Sequence, residues 1–112
     1  MNRLFAHLFA FLMLIAASSG FCSDEAFWID VRSTEEYNTD HVTQAVHIPY
    51  TEIAARIGEV TEDKDAPIYV YCRSGRRSGI AKESLEAQGF TNVTNLGGFE
   101  DAMAVAEEAA VQ

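Results

Sequence analysis

The stretch Pro67-Ile68-Tyr69-Val70-Tyr71-Cys72-Arg73-Ser74-Gly75-Arg76-Arg77-Ser78 changes character halfway along. Its first five residues are β-branched and aromatic after the proline, the composition of a buried strand. Beyond it, Gly79 to Gln88 sets Ile80, Ala81 and Leu85 against Lys82, Glu83 and Glu86, the pattern of an amphipathic helix. Cys72 to Ser78 is then a tight, cation-rich loop between strand and helix. Such a turn aims backbone N–H groups at its centre, and the helix N-terminus adds about half a positive charge there. A cysteine in that field has its pKa lowered from about 8.5. The pattern predicts an anion cradle with a Cys72 nucleophile in its floor. Arg73, Ser74, Gly75, Arg76, Arg77 and Ser78 would bind the substrate.

A small apolar cysteine closing a buried strand is the competing explanation, since free cysteines are often buried. The three arginines decide against it. Concentrated like charge gives a packing cysteine nothing, and its repulsion is relieved only when an anion arrives.

Outward from the loop, strand and helix patterns alternate. Phe27 to Val31 reads as a first strand. Ser33 with Glu36 forms a capping box that opens a short helix through Tyr37. Ala45 to Ile48 reads as a second strand, and Thr51 to Ile57 as a helix stopped by Gly58. Glu59 to Ala66 is a polar surface loop. After a stop at Gly89 come a strand over Asn92 to Leu96, a break at Gly97-Gly98, and a helix from Phe99 to Ala110 on Phe99, Met103 and Ala106. This alternation predicts an α/β fold: a parallel sheet of about four to five strands with helices on both faces. In such sheets the binding crevice lies beyond the carboxyl ends of the strands, where Cys72 stands.

The chain has 112 residues, and residues 1–23 read as a signal peptide rather than as part of the fold. Arg3 gives a basic start, Leu4 to Ala17 is apolar apart from His7, and Ser18-Ser19-Gly20 supplies small residues. Cleavage is expected between residues 20 and 23, leaving 24–112 as one domain. The apolar run is short for a membrane span, so no stable membrane association is expected after processing. Phe21 is too large for a lipoprotein site at Cys22. If Cys22 survived processing, a bridge to Cys72 would switch the site off. The mature chain keeps all 17 acidic residues but seven of eight lysines and arginines, a net charge of −10. That balance argues against nucleic acid, which needs a basic face. Three of the seven cations crowd beside Cys72, which favours a small anionic substrate.

Two further stretches bring in a resemblance. Asp30-Val31-Arg32, Glu36-Tyr37, His41-Val42 and Ala45 to Pro49 resemble the amino-terminal signature of rhodanese domains. Leu96-Gly97-Gly98-Phe99 resembles their carboxy-terminal signature. With the Cys72 loop the likeness spans about residues 27 to 103, and the chain resembles the small periplasmic single-domain members of the phage-shock type. The resemblance implies thiosulfate sulfurtransferase activity: a Cys72 persulfide moves sulfane sulfur from a thiosulfate-like anion to cyanide or a thiol acceptor. It also implies a periplasmic location, no cofactor, and a monomer or weak dimer. Asp30 and Arg32 are read as a structural ion pair, and His41 and His47 as structural. No metal site is expected, because neither histidine has metal-ligand spacing with Cys72.

Other classes remain to be set against this. A sulfur-carrier or interaction module serving a dedicated partner would keep the same cysteine. A phosphatase or arsenate reductase is disfavoured, because such loops want five residues between Cys and Arg. Here Arg77 follows Cys72 after only four.

Overall fold

Period-two alternation along one short strand divides the molecule into two layers. The computed structural model describes residues 26–110; the predicted signal segment, its cleavage site and Cys22 lie outside the described residues. The strands are β1 (Phe27–Asp30), β2 (Val46–His47), β3 (Ile68–Tyr71) and β4 (Val93–Gly97). They form one sheet in the order β2-β1-β3-β4, with every pair parallel. Between them run α1 (Thr34–Thr39), α2 (Ile53–Arg56), α3 (Arg76–Ala87) and, after β4, α4 (Phe99–Ala110). This is the α/β architecture expected from the alternation.

On β3, Ile68 and Val70 face one layer and Tyr69 and Tyr71 the other. The first layer joins Ile29, Val31, Ile53, Ala81, Leu85 and Phe90, and Cys72 continues its alternation into the same cluster. The second joins Trp28, Val42, Ala45 and Ala102 of α4, with Phe99 and Met103 packed against them. Helices thus cover both faces, as parallel sheets require. Trp28 and Tyr69 meet edge to face with centroids 5.0 Å apart.

Local signals place several boundaries. Ser33 accepts from the Glu36 N–H while Glu36 accepts from the Ser33 N–H, so the capping box forms and α1 starts where it predicts. Gly89 adopts φ +103° after α3, which lets Phe90 donate back to the Leu85 carbonyl at 3.2 Å and bury its ring.

Three expectations need correction. Gly58 does not stop a helix: α2 is shorter, and Gly58 lies inside a 3₁₀ turn, Ile57–Glu59, without a left-handed φ. Val60 and Thr61 both donate to the Ile57 carbonyl there, a tightening that keeps Ile57 buried. Ile80 is 38% exposed, because α3 begins early and turns Ser78, Ala81 and Leu85 toward the sheet. By the same early start, Arg76, Arg77 and Ser78 belong to the first helical turn rather than to the loop.

Candidate active site

Cys72 follows directly on β3, and β4 fixes where its backbone goes. The register pairs Val70 with Asn95 but Tyr71 with Gly97, so Leu96 is an extra residue in a bulge. The bulge brings the Gly97 carbonyl to the Cys72 N–H at 3.0 Å. Gly98 then lies against the loop: a Cβ there would stand 2.6 Å from the Arg73 carbonyl oxygen, so only glycine fits. Gly75 turns the chain into α3 with φ +99°, a conformation other residues rarely adopt.

That turn points the Gly75 N–H at the Cys72 sulfur, 2.9 Å away. The Ser78 hydroxyl lies 3.4 Å from the same sulfur, one turn into α3. Cys72 is fully buried, and burial pushes its thiol up. The Ser78 hydroxyl and the N–H groups of Ser78, Ser74 and Gly75 more than offset this, and the thiol is held below its ordinary value. Neutral donors of the loop and the first helical turn therefore lead in holding the charge, as expected of a strand-to-helix turn.

The arginines separate into distinct roles. Arg77 donates to both carboxylate oxygens of Glu36, at 3.0 and 3.2 Å, tying α3 to the start of α1. This pairing, followed by the Ser33 N–H, holds the Glu36 carboxyl at about 2. Arg73 reaches the same carboxylate only at 3.7 Å, and its side chain is 76% exposed. Arg76 is exposed and makes no ion pair among the described residues. Ser74 is exposed too, and serves the sulfur through its backbone. Beside Arg73 opens a cleft of about 650 Å³, walled by Glu36 and Asp40 on one side and Phe99 and Asp101 on the other.

Asp30 and Arg32 form a buried pair, and Arg32 also lines the cleft. Arg32 donates from Nε to both Asp30 oxygens, at 2.9 and 3.0 Å, and from Nη2 to Oδ2 at 2.6 Å. Tyr71 donates its hydroxyl to Asp30 at 2.8 Å and accepts the Val42 N–H at 3.0 Å. Arg32 also caps the Asp40 carbonyl at 2.7 Å and stacks 4.6 Å from the Phe99 ring. His41 and His47 sandwich the Tyr37 ring, at 3.6 and 4.9 Å between centroids, and each bonds a backbone carbonyl. Among the described residues no three His, Cys, Asp or Glu side chains are grouped to hold a metal ion.

Two residues escaped the sequence reading of the site. The sequence reads Glu36 as a cap and as part of the amino-terminal signature, and Asn95 as a strand residue, without giving either a place at the site. Asn95 accepts from the Ser78 hydroxyl at 2.7 Å and the Gly97 N–H at 2.9 Å, and donates to the Gly75 carbonyl at 3.0 Å. An asparagine inside a strand, against β-propensity and just before Gly97-Gly98, was the available signal.

A rhodanese-like domain family model matches residues 18–104. Over 74 residues the chain is 47% identical to the thiosulfate sulfurtransferase PspE of Escherichia coli, covering 66% of this chain and 71% of that protein. It is 44% identical over 75 residues to the putative sulfur carrier protein YrkF of Bacillus subtilis, covering 66% of this chain and 40% of that one. A solved rhodanese with anions from E. coli superimposes with a TM-score of 0.67 at 45% identity, over 69% of this chain and 91% of that one.

Proposed function

The chain belongs to the rhodanese-like domain family, and from that premise we propose that it is a thiosulfate sulfurtransferase working through a persulfide on Cys72. One observation carries the reading: a buried sulfur that accepts the Gly75 N–H at 2.9 Å at the positive end of α3. A thiolate there attacks the outer sulfur of thiosulfate. The S–S bond of thiosulfate breaks, its electron pair leaves with sulfite, and the outer sulfur stays on Cys72 as a persulfide anion. The N–H groups of the loop, aimed at its centre, hold that charge as well. Arg73, exposed and only 3.7 Å from its nearest carboxylate, and Arg76, exposed and without an ion pair among the described residues, meet the departing sulfite oxygens. Arg77, committed to Glu36, shapes the wall instead. Cyanide or a thiol then takes the outer sulfur, and the cleft beside Arg73 is the approach.

The putative sulfur carrier among its relatives supports a second reading, in which the persulfide is handed only to a partner protein. Turnover separates the two: a carrier loads once, whereas a sulfurtransferase cycles with cyanide.

The test is the intact mass of the protein after exposure to thiosulfate alone. One added sulfur on Cys72 is expected. Cys72→Ser should take up none and lose transfer to cyanide while keeping its circular dichroism spectrum. Sulfur uptake by Cys72→Ser would overturn the assignment. Arg3, the apolar run and Ser18-Ser19-Gly20 support export to the periplasm. In protein secreted by its host the same mass spectrum should begin between residues 19 and 24, and retention of Met1 would remove that part of the proposal.

A further inference from the structure

The Ser78 hydroxyl has two acceptors and one proton. Its oxygen stands 2.7 Å from Asn95 Oδ1 and 3.4 Å from Cys72 Sγ. A hydroxyl donates once, so it cannot serve both together. The orientation of Asn95 is fixed by its other partners. Its Nδ2 donates to the Gly75 carbonyl at 3.0 Å and its Oδ1 accepts from the Gly97 N–H at 2.9 Å. A flipped amide would set donor against donor at Gly97 and acceptor against acceptor at Gly75. Oδ1 therefore faces Ser78 and can only accept.

We propose that Asn95 is a positioning residue that competes with Cys72 for the Ser78 proton, making the hydroxyl a rotor that follows the charge on the sulfur. When the sulfur is uncharged, the hydroxyl donates to Asn95 Oδ1 and its oxygen turns a lone pair to Cys72. When the sulfur is a thiolate, that lone pair faces a negative charge, and the hydroxyl swings to donate to Sγ.

The cycle of the proposed reaction, on which this role rests, passes through both states. In the persulfide the inner sulfur is uncharged and Ser78 turns to Asn95. An acceptor thiolate attacking the outer sulfur breaks the S–S bond of the persulfide, and the electron pair passes to Sγ. The outer sulfur leaves bonded to the acceptor, and Ser78 swings back onto the thiolate just released. Asn95 thereby weakens the hold on the resting nucleophile without removing the donor from the leaving group. A thiolate held less tightly is more basic and, at a given fraction ionised, more nucleophilic.

The test is a double-mutant cycle on the Cys72 thiol, followed by iodoacetamide alkylation against pH in the parent, Ser78→Ala, Asn95→Ala and the double variant. Arg73 of the loop, Arg76 of the first turn of α3, Arg77 with Glu36, Tyr50 near Arg77 and Asp101 near Gly98 are the same in all of these, so their fields cancel. Ser78→Ala should raise the midpoint by roughly half to one pH unit, the worth of one hydrogen bond. Asn95→Ala should shift the midpoint downward by about half a unit more when Ser78 is present than when it is alanine. Equal shifts in both backgrounds would mean that Asn95 acts only through Gly75 and Gly97, and would overturn the proposal.

A second measurement needs no change at Asn95. In the parent, the side-chain amide ¹⁵N resonance of Asn95 should move with the Cys72 midpoint, and in Ser78→Ala it should stay flat. A flat signal in the parent, or equal movement in both, overturns the rotor. Neither experiment contains thiosulfate, so a failed rotor and a failed sulfurtransferase reading are told apart.

Discussion

Strands β1 and β3 end side by side at the same edge of the sheet, and each runs into arginine, yet the two arginine sets lead opposite lives. After β1, Arg32 is 6% exposed, with its guanidinium divided among the Asp30 carboxylate, the Asp40 carbonyl and the faces of Tyr71 and Phe99. After β3, Arg73 is 76% exposed on its side chain and its nearest carboxylate is 3.7 Å away. One corner satisfies its charge internally; the other leaves charge unspent. Arg77 stands between the two, half-buried on Glu36. A cation consumed by its own fold holds the edge of the sheet in shape, while a cation left free can meet an incoming anion.

The largest effect should come from the first corner. Arg32→Ala leaves the Asp30 carboxylate fully buried with the Tyr71 hydroxyl as its remaining side-chain donor. Unfolding by urea should show a loss of about 3–5 kcal/mol, the cost of an orphaned buried charge. A loss below about 1 kcal/mol would mean that the buried pair is no more structural than the free arginines.

The second corner should answer in binding and not in stability. Arg73→Ala or Arg76→Ala should raise the Michaelis constant for thiosulfate through a lost charge-assisted hydrogen bond worth about 1.5–3 kcal/mol. The urea midpoint should hardly move, since exposed charges contribute little. If neither variant changes the Michaelis constant while Arg77→Ala does, the division of roles drawn here is reversed.

Glu36 sharpens the comparison with the smallest change. Its carboxyl is held at about 2, below its ordinary value of 4.5, by Arg77 first and the Ser33 N–H next. A carboxylate with a depressed folded pKa stabilises fully above its unfolded pKa and loses that stabilisation as pH falls through the folded one. Acid titration of stability should therefore show its contribution intact above pH 4.5 and fading toward pH 2. Glu36→Gln should cost about 1–2 kcal/mol at neutral pH and flatten that acid slope. An unchanged slope would show that Arg77 gains little from this partner.

What could be read in the chain follows from how far apart the interacting residues are. The strand before Cys72, the capping box of Ser33 and Glu36 and the stop at Gly89 are patterns confined to a few positions. Backbone geometry makes neighbours of residues two, three or four apart whatever the rest of the molecule does. The place of Cys72 at the strand end was legible for the same reason, since it carries its loop and the helix start with it. The burial of Ser78 and exposure of Ile80 were not, because the face α3 turns to the sheet depends on where its first turn begins.

The sequence alone determined the α/β order of elements, the position of the cysteine at a strand end, and the crowding of cations beside it. Only the tertiary structure decided which groups meet across the chain. Arg77 finds Glu36 from 41 positions away, Tyr71 finds Asp30 from the same separation, and Asn95 finds Ser78 from 17. Those pairings hang on the parallel register of β1, β3 and β4, where a one-residue slip reverses every side chain. Register is a balance struck by both buried layers together, and no short stretch of the chain carries it.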